Sequence, residues 1–187
     1  DDSSVPYFFN GHWYYTRYEE GLEYPVHCRR EGTMEAPEQI LLDANKEAEG
    51  QKYYNARSLT VSDHNQTLAW ADDTLGRRIY TVRFHDLSTG ERLDEVIEGT
   101  GGPVVWAADN AHVFYVRREE GTLRAFQVWR HKLGTDPASD TLLFEETDDT
   151  FSVSIRRTKS RRYIVIHSSS TLTDESRFLA ADQPLDE

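Results

Sequence analysis

Internal repetition limits the fold of this sequence more than any other feature. The segments HWYYTRYEEG (residues 12–21) and HVFYVRREEG (residues 112–121) share six identical positions at an offset of 100. Related segments lie at residues 67–76 and 162–171, so the four copies begin 55, 45 and 50 residues apart. A repeat of this length that holds four short strands is typical of a β-propeller blade, which buries its faces only against neighbouring blades.

The residues around the repeats favour strands over long helices. Aromatic and β-branched residues occur in short runs that suit a pleated, half-buried surface, and Gly, Asn and Asp separate the runs as turn residues do. Only Asp43–Gly50 predicts a short helical turn, because a capping residue begins it and a glycine ends it. We predict an all-β chain in one domain, residues 1–187, built of four-stranded antiparallel sheets around an axis. About four blades are expected, starting near residues 7, 57, 102 and 151, and a β-sandwich is the alternative.

Charge and composition exclude several classes of function. The chain has 33 acidic and 21 basic side chains and a net charge of −12, which disfavours a general nucleic-acid binder because phosphate is repelled by such a surface. No apolar run approaches the roughly 20 residues that span a bilayer, so no membrane partner is expected. No signal peptide is visible, and the single cysteine, Cys28, cannot form an internal disulfide. These features predict a cytoplasmic protein.

Several stretches resemble one known family. DDSSVPY (residues 1–7), WYYTRY (13–18) and EYPVHCRR (23–30) are similar to the oligopeptidase B branch of the prolyl oligopeptidase family of serine peptidases. The resemblance continues in order along nearly the whole chain, through LLD (41–43), AEG (48–50), RFHDLSTG (83–90), VVWAADN (104–110) and RHKLGTDP (130–137).

This resemblance implies both a fold and an activity. In that family a seven-bladed propeller caps an α/β-hydrolase domain that carries a serine, aspartate and histidine triad, and the oligopeptidase B branch cleaves short peptides after Arg or Lys. The chain would supply about the first four blades, and the α/β-hydrolase domain of the same protein would be its partner. Its part would be to gate the active site and to select short basic peptides by size. The alternative is a free-standing propeller-type module that binds peptides or proteins.

No catalytic residue is predicted within the chain. The nucleophile of an α/β-hydrolase lies in a G-x-S-x-G turn, whose glycines permit the sharp backbone bend. Neither Gly101-Gly102 nor Ser168-Ser169-Ser170 provides that pattern. A hydrolase activity of the chain itself would therefore need a triad assembled without this motif.

Four histidines lie at repeated positions, which favours packing or turn roles because an active site occurs once. His12 and His112 are equivalent in the first repeat, and His85 and His131 are equivalent in a second repeat at an offset of 46. No H-E-x-x-H motif or paired-cysteine spacing is present. We predict no metal and no cofactor, and the sequence does not assign substrate-binding residues.

Three charged or reactive features are interpreted as structural. The acidic doublets are expected at equivalent strand ends, in solvent, and Cys28 is expected to be an inert buried thiol. A basic cluster straddles a predicted hairpin turn and is expected to be solvated and to pair with nearby acids; contact with phosphate or an acidic partner is the alternative. The doublets are Glu19-Glu20, Asp72-Asp73 and Glu119-Glu120, and the cluster is Arg156, Arg157, Lys159, Arg161 and Arg162.

Overall fold

β-Strands dominate the structure, a computed structural model that describes residues 3–185. The chain divides into two compact units, residues 1–54 and 55–187. Helical structure within the described residues is limited to α1 (Ala44–Glu47) and a short 3-10 helix at Pro137–Ser139. No helix in this part of the chain is long and apolar enough to cross a membrane.

The first unit contains one antiparallel sheet of four strands in sequential order. Aromatic side chains pair directly across its first two strands: Tyr7 stacks on Tyr14 with ring centroids 5.5 Å apart, and Phe8 packs against Trp13 at 5.2 Å. Such cross-strand pairs help to fix strand register. The strands are β1 (Tyr7–Phe9), β2 (His12–Arg17), β3 (Val26–Glu31) and β4 (Gln39–Asp43).

The predicted short helical turn is confirmed as α1. The carboxylate of Asp43 accepts the backbone N–H of Asn45 at 3.0 Å, which satisfies a donor that the helix itself leaves unpaired. Gly50, just beyond the helix, has a φ of 76°, a backbone conformation that glycine adopts without strain.

The second unit contains an eight-stranded antiparallel sheet. Seven of its strands follow the order β12-β11-β10-β9-β7-β6-β5, and β8 pairs with β7 beside them. The strands are β5 (Asn55–Val61), β6 (Thr67–Asp73), β7 (Tyr80–Asp86), β8 (Glu91–Arg92), β9 (Ile97–Trp106), β10 (His112–Arg118), β11 (Ala125–Lys132) and β12 (Thr141–Glu145).

Strand β9 joins two groups of strands within this sheet. Ile97 and Thr100 pair with β7, whereas residues 104–106 pair with β10, and Thr100 also pairs with Arg117 of β10. Gly102 lies between these two parts with a φ of 109°, and a Cβ there would lie 3.2 Å from the ring of Tyr80. The crossing therefore requires a residue without a side chain.

We expect Gly101→Ala to lower the free energy of unfolding by about 1–3 kcal/mol, because it overpacks this crossing. An added Cβ would lie 2.6 Å from Cγ2 of Val116. Urea denaturation measures the loss. The double variant Gly101→Ala/Val116→Ala removes the clashing methyl group, so it should be more stable than the sum of the two single effects predicts. Strict additivity would contradict this explanation.

A third, three-stranded sheet packs on the eight-stranded sheet. It has the order β13 (Ser152–Arg157), β14 (Tyr163–Ser169) and β15 (Asp174–Ala180). Buried apolar side chains of both sheets form one cluster, which includes Val105, Phe114 and Val128 from the larger sheet and Val153, Ile155, Ile164 and Ile166 from the smaller.

The structure places the repeated sequences at corresponding strands. The four copies of the first repeat form β2, β6, β10 and β14, each of which lies between the strands that precede and follow it in sequence. The second repeat forms β7 and β11. The prediction of an all-β chain with the antiparallel sheets of a partial β-propeller is confirmed.

Candidate functional site

Three turns of the second unit meet at one end of its sheets, after β5, β9 and β13. The backbone N–H of His64 in the first turn donates to Oδ1 of Asn110 in the second at 2.9 Å. Asn65, Asn110 and Arg161 each have a φ between 60° and 65°. Asparagine tolerates this left-handed conformation, as expected of the turn residues that separate the strands.

An ion cluster links the first turn to the third. Arg157 donates from Nη1 and Nη2 to the two carboxylate oxygens of Asp63 at 2.7 and 2.9 Å, and Arg161 donates to the same carboxylate. Arg157 also donates from Nε and Nη2 to the backbone oxygen of Arg161 at 3.0 and 2.8 Å. Burial would raise the pKa of Asp63, but the hydrogen bonds and charges of the two arginines outweigh it and hold the pKa below its usual 3.8.

A cavity of about 340 Å³ lies beside the third turn. The backbone N–H of Ala108 donates to the oxygen of Ala181 at 2.7 Å, and the N–H of Ala181 donates to the oxygen of Arg162 at 2.8 Å. These bonds connect the cavity walls to both sheets. The lining consists of Ala108, Arg161, Arg162, Tyr163, Ala180, Ala181 and Asp182.

The basic cluster predicted from the sequence surrounds this turn, and we call residues 156–162 the basic turn. Arg157 and Arg161 pair with Asp63, so the expected pairing with nearby acids is confirmed for these two side chains. The other three cations, Arg156, Lys159 and Arg162, are exposed.

We expect Arg157→Ala to lower the free energy of unfolding by about 1–3 kcal/mol, since it removes a nearly buried partner of a carboxylate. The side chain of Arg157 is 9% exposed. Denaturation with urea measures the loss, and the exposed Arg156→Ala is the matched control, expected within about 0.5 kcal/mol of wild type.

Acid should reduce the difference between wild type and Arg157→Ala. A carboxyl group with a lowered folded pKa adds stability above its unfolded pKa, 3.8 for Asp63, and that stability is lost as the pH falls through the folded pKa. A difference that does not change with pH would show that the ion cluster does not cause it.

A second cavity of about 380 Å³ lies between β12 and the third sheet. Arg177 lies over the ring of Phe144, with its guanidinium carbon 4.3 Å from the ring centroid. Arg130, at the same cavity, donates to the backbone oxygen of Pro184 at 2.8 Å. The lining is otherwise mainly apolar and includes Leu142, Leu143, Ile166, Phe178 and Leu179.

The repeated histidines differ in their surroundings. Nδ1 of His12 lies 3.3 Å from the backbone oxygen of Asn10, and Nδ1 of His112 lies 2.6 Å from a carboxylate oxygen of Asp109. Both histidines therefore contact the turns that precede their strands, as predicted. His85 contacts the ring of Trp70 at a centroid distance of 4.4 Å.

His131 is fully buried between two carboxylates. Its Nε2 lies 2.6 Å from Glu95 and its Nδ1 lies 2.6 Å from Asp140, which also accepts the hydroxyl of Tyr115 at 2.7 Å. Burial alone would lower the pKa of His131, but hydrogen bonds to the two carboxylates and their charges outweigh it and raise the pKa above 6.5. Sequence reasoning identified the histidine but not its acidic partners.

The expectation of solvated acidic doublets is wrong for Asp72-Asp73. These residues are 4% and 2% exposed. Asp72 pairs with Arg83 at 2.9 Å, and Asp73 accepts three backbone N–H groups of the following turn at 2.9 Å each. Glu19, by contrast, has a side chain that is 47% exposed. Asp73 stabilises the turn, because its oxygens replace the hydrogen bonds that water would otherwise provide to these N–H groups.

Cys28 is a buried thiol, as predicted. It is 1% exposed in β3, and burial raises its pKa to about 12, with a further contribution from the charge of Glu38. A thiol with so high a pKa is protonated at neutral pH and is a poor nucleophile.

Two serine–histidine contacts occur within residues 3–185. Oγ of Ser62 lies 2.7 Å from Nδ1 of His64, and Oγ of Ser176 lies 2.9 Å from Nδ1 of His167. Ser62 is fully buried and also accepts the backbone N–H of Thr67, which makes it part of a turn. No group of three or more His, Cys, Asp or Glu residues in this range is placed to hold a metal ion.

Known proteins are similar to this chain in sequence and in fold. Residues 1–186 match the N-terminal β-propeller domain of prolyl oligopeptidase. Dipeptidyl aminopeptidase BI from Pseudoxanthomonas mexicana is 40% identical over 199 residues, covering 98% of this chain and 28% of that protein. Protease 2 from Moraxella lacunata is 32% identical over 191 residues, with coverages of 98% and 28%.

Solved structures agree with this match. Oligopeptidase B from Leishmania major superimposes with a TM-score of 0.92 at 31% identity, covering 97% of this chain and 26% of that chain. This chain therefore spans little more than a quarter of the length of these relatives. The chain belongs to the prolyl oligopeptidase family of peptidases, as part of the N-terminal β-propeller domain.

Proposed function

We propose that this chain is the first part of the propeller of a longer, cytoplasmic serine peptidase of the oligopeptidase B type. The whole enzyme hydrolyses short peptides after Arg or Lys, and this part gates and size-selects them without performing the chemistry. The observation that carries the proposal is one of coverage: the match takes in 98% of this chain but only 28% of the relatives named dipeptidyl aminopeptidase BI and Protease 2.

In this proposal the chain forms about four of seven blades, which start near residues 7, 57, 102 and 151. The strand groups β1–β4, β5–β8, β9–β12 and β13–β15 support that division, because each group begins near one of these positions. The remaining blades and an α/β-hydrolase domain are supplied by further sequence of the same protein.

The geometry of the serines supports a role other than catalysis. Acyl transfer needs an accessible serine, a histidine base and a third group that orients the histidine. Ser62 is fully buried beside His64, and His167 beside Ser176 has no carboxylate hydrogen bond within the described residues. Ser168 is buried and donates to Glu146. The chain also lacks the G-x-S-x-G turn.

The stiffness of packed sheets supports the proposed gating. Antiparallel sheets that share apolar clusters are stiff and would not open to admit a folded protein, whereas a short flexible peptide needs much less space. The net charge of −12 would also attract cationic peptides over roughly a Debye length, about 8–10 Å at physiological salt.

A fluorophosphonate probe tests where the chemistry lies. We expect the intact mass of the 187-residue chain to stay unchanged after treatment. The longer protein of which we propose this chain is a part should gain one adduct, on a serine outside these residues. An adduct within the chain would overturn the proposal of a non-catalytic part. A mature protein that ends with this chain would instead favour the free-standing binding module.

Cleavage by the longer protein tests gating and specificity. We expect it to cut a short peptide that contains Arg or Lys, and not the same sequence within a loop of a folded host protein. Equal cleavage of both would reject size selection, and cleavage after other residues would reject the proposed specificity. Peptide capture should also weaken as salt rises, and a flat salt dependence would reject charge steering.

A further inference from the structure

The basic turn is positively charged, in contrast to the negative net charge of the whole chain. Five of its seven residues are cationic, although the net charge of the whole chain is −12. The carboxylate of Asp63 is already bound by Arg157 and Arg161, and that of Asp109 accepts two backbone N–H groups and contacts His112. Arg162 has no ion pair within the described residues, so positive charge remains at this surface.

Two of these cations line the 340 Å³ cavity. Arg161 and Arg162 form one wall with Tyr163, whose ring lies edge-on to Phe178. Among the described residues of the lining, Asp182 supplies the one carboxylate. The volume is at the small end of the roughly 300–1,000 Å³ typical of ligand pockets. Three residues with small side chains, Ala108, Ala180 and Ala181, also line the cavity.

Arg157 holds this wall in place before any ligand arrives. It donates twice to the backbone oxygen of Arg161 and twice to Asp63, while Asp63 also binds the Arg161 side chain. The turn is therefore braced at both its backbone and its guanidinium group. The guanidinium group of Arg161 is therefore preorganised, and a preorganised donor loses less conformational entropy on binding than a mobile side chain would lose.

We propose that this cavity binds the terminal carboxylate of a short peptide, with the guanidinium groups of Arg161 and Arg162 as donors. Charge-assisted bonds from Arg to a carboxylate are among the strongest hydrogen bonds in proteins. The alanines accept the last residues of the peptide, and the phenol of Tyr163 lies at the same wall. The choice of a peptide over another carboxylate rests on the proposed function, in which the whole protein acts on peptides.

The test compares two ligands that differ only in this carboxylate. The 15N-labelled 187-residue chain is titrated with N-acetyl-trialanine and with its C-terminal amide. We expect the free acid to shift the backbone amides of Arg161, Arg162 and Ala181, and the amide to bind about tenfold more weakly or not at all. Equal affinity of the two ligands, or no binding of the acid, would overturn the proposal.

Matched variants locate the site. Arg162→Gln removes an exposed charge from the cavity wall and should weaken binding of the acid about fivefold or more. Arg156→Gln removes an exposed charge of the same turn outside the lining, and it should change affinity less than about twofold. If both variants lost the same affinity for the acid, the binding would come from general attraction to the positive charge of the basic turn. That result would reject the proposed site.

A titration with inorganic phosphate distinguishes a site for any anion from a site for a peptide. Displacement of the acid by phosphate supports a shared anion site, whereas binding of phosphate without binding of the acid would reject the peptide as ligand. These titrations use the chain alone. The proposed function is tested instead by labelling of the longer protein and by its cleavage of peptides. The carboxylate site and the proposed function can therefore fail independently of each other.

Discussion

We expect Trp106→Ala to lower the free energy of unfolding by about 3–5 kcal/mol, the range for removing a large buried aromatic side chain. Trp106 is 2% exposed and packs edge-on against Phe84, with ring centroids 6.2 Å apart. Its Nε1–H donates to the backbone oxygen of Thr60 at 3.1 Å, so β9 is tied to β5 across the sheet. Urea denaturation followed by far-UV circular dichroism measures the loss without relying on tryptophan fluorescence.

Trp106→Phe separates packing from the hydrogen bond. The phenyl ring keeps most of the buried volume but leaves the oxygen of Thr60 without its donor, so we expect a loss of about 1–2 kcal/mol. This variant also keeps the experiment interpretable if the alanine variant does not fold, since typical domains have only about 5–15 kcal/mol of stability. Equal losses in the two variants would show that the buried volume is unimportant.

Most of the fold could be predicted from the repeat, because the residue types that favour a strand or a turn act over only a few neighbouring positions. His12 and His112 lie at the first position of β2 and β10, and each contacts the turn that precedes its strand. Strand composition and turn residues act over a few positions, so one sequence is enough to recognise them. The crossing at Gly101 and Gly102 was not predicted, because a glycine pair does not reveal which strands it passes between.

Only the part of the candidate site that is local in sequence could be predicted. The basic turn was visible as a cluster of cations over seven residues, but its partner Asp63 lies 94 residues before Arg157. Asp72-Asp73 resembles the exposed doublet Glu19-Glu20 in sequence, yet the turn that follows it donates three backbone N–H groups to the carboxylate of Asp73. Burial of a charged side chain depends on such packing between distant segments, which local patterns do not encode.

We expect His131→Ala to lower the free energy of unfolding by about 3–5 kcal/mol at a pH below 6.5, because it leaves buried carboxylates without their cation. The side chains of Asp140 and Glu95 are 2% and 15% exposed, and each has an oxygen 2.6 Å from the imidazole. His85→Ala, at the equivalent repeat position, is the matched control. His85 is only half-buried, so its loss should be about 1 kcal/mol.

The pH dependence of the stability loss in His131→Ala distinguishes the loss of a charge from the creation of a cavity. The pKa of His131 is raised in the folded state, so the stability it adds is fully present below its unfolded pKa of 6.5 and is lost as the pH rises through the folded pKa. The difference between wild type and His131→Ala should therefore shrink towards alkaline pH. Adding Glu95→Gln to His131→Ala should recover part of the loss, because one buried carboxylate is neutralised. A loss that is constant with pH and unaffected by Glu95→Gln would mean that His131 acts only by filling space between β11 and its neighbours.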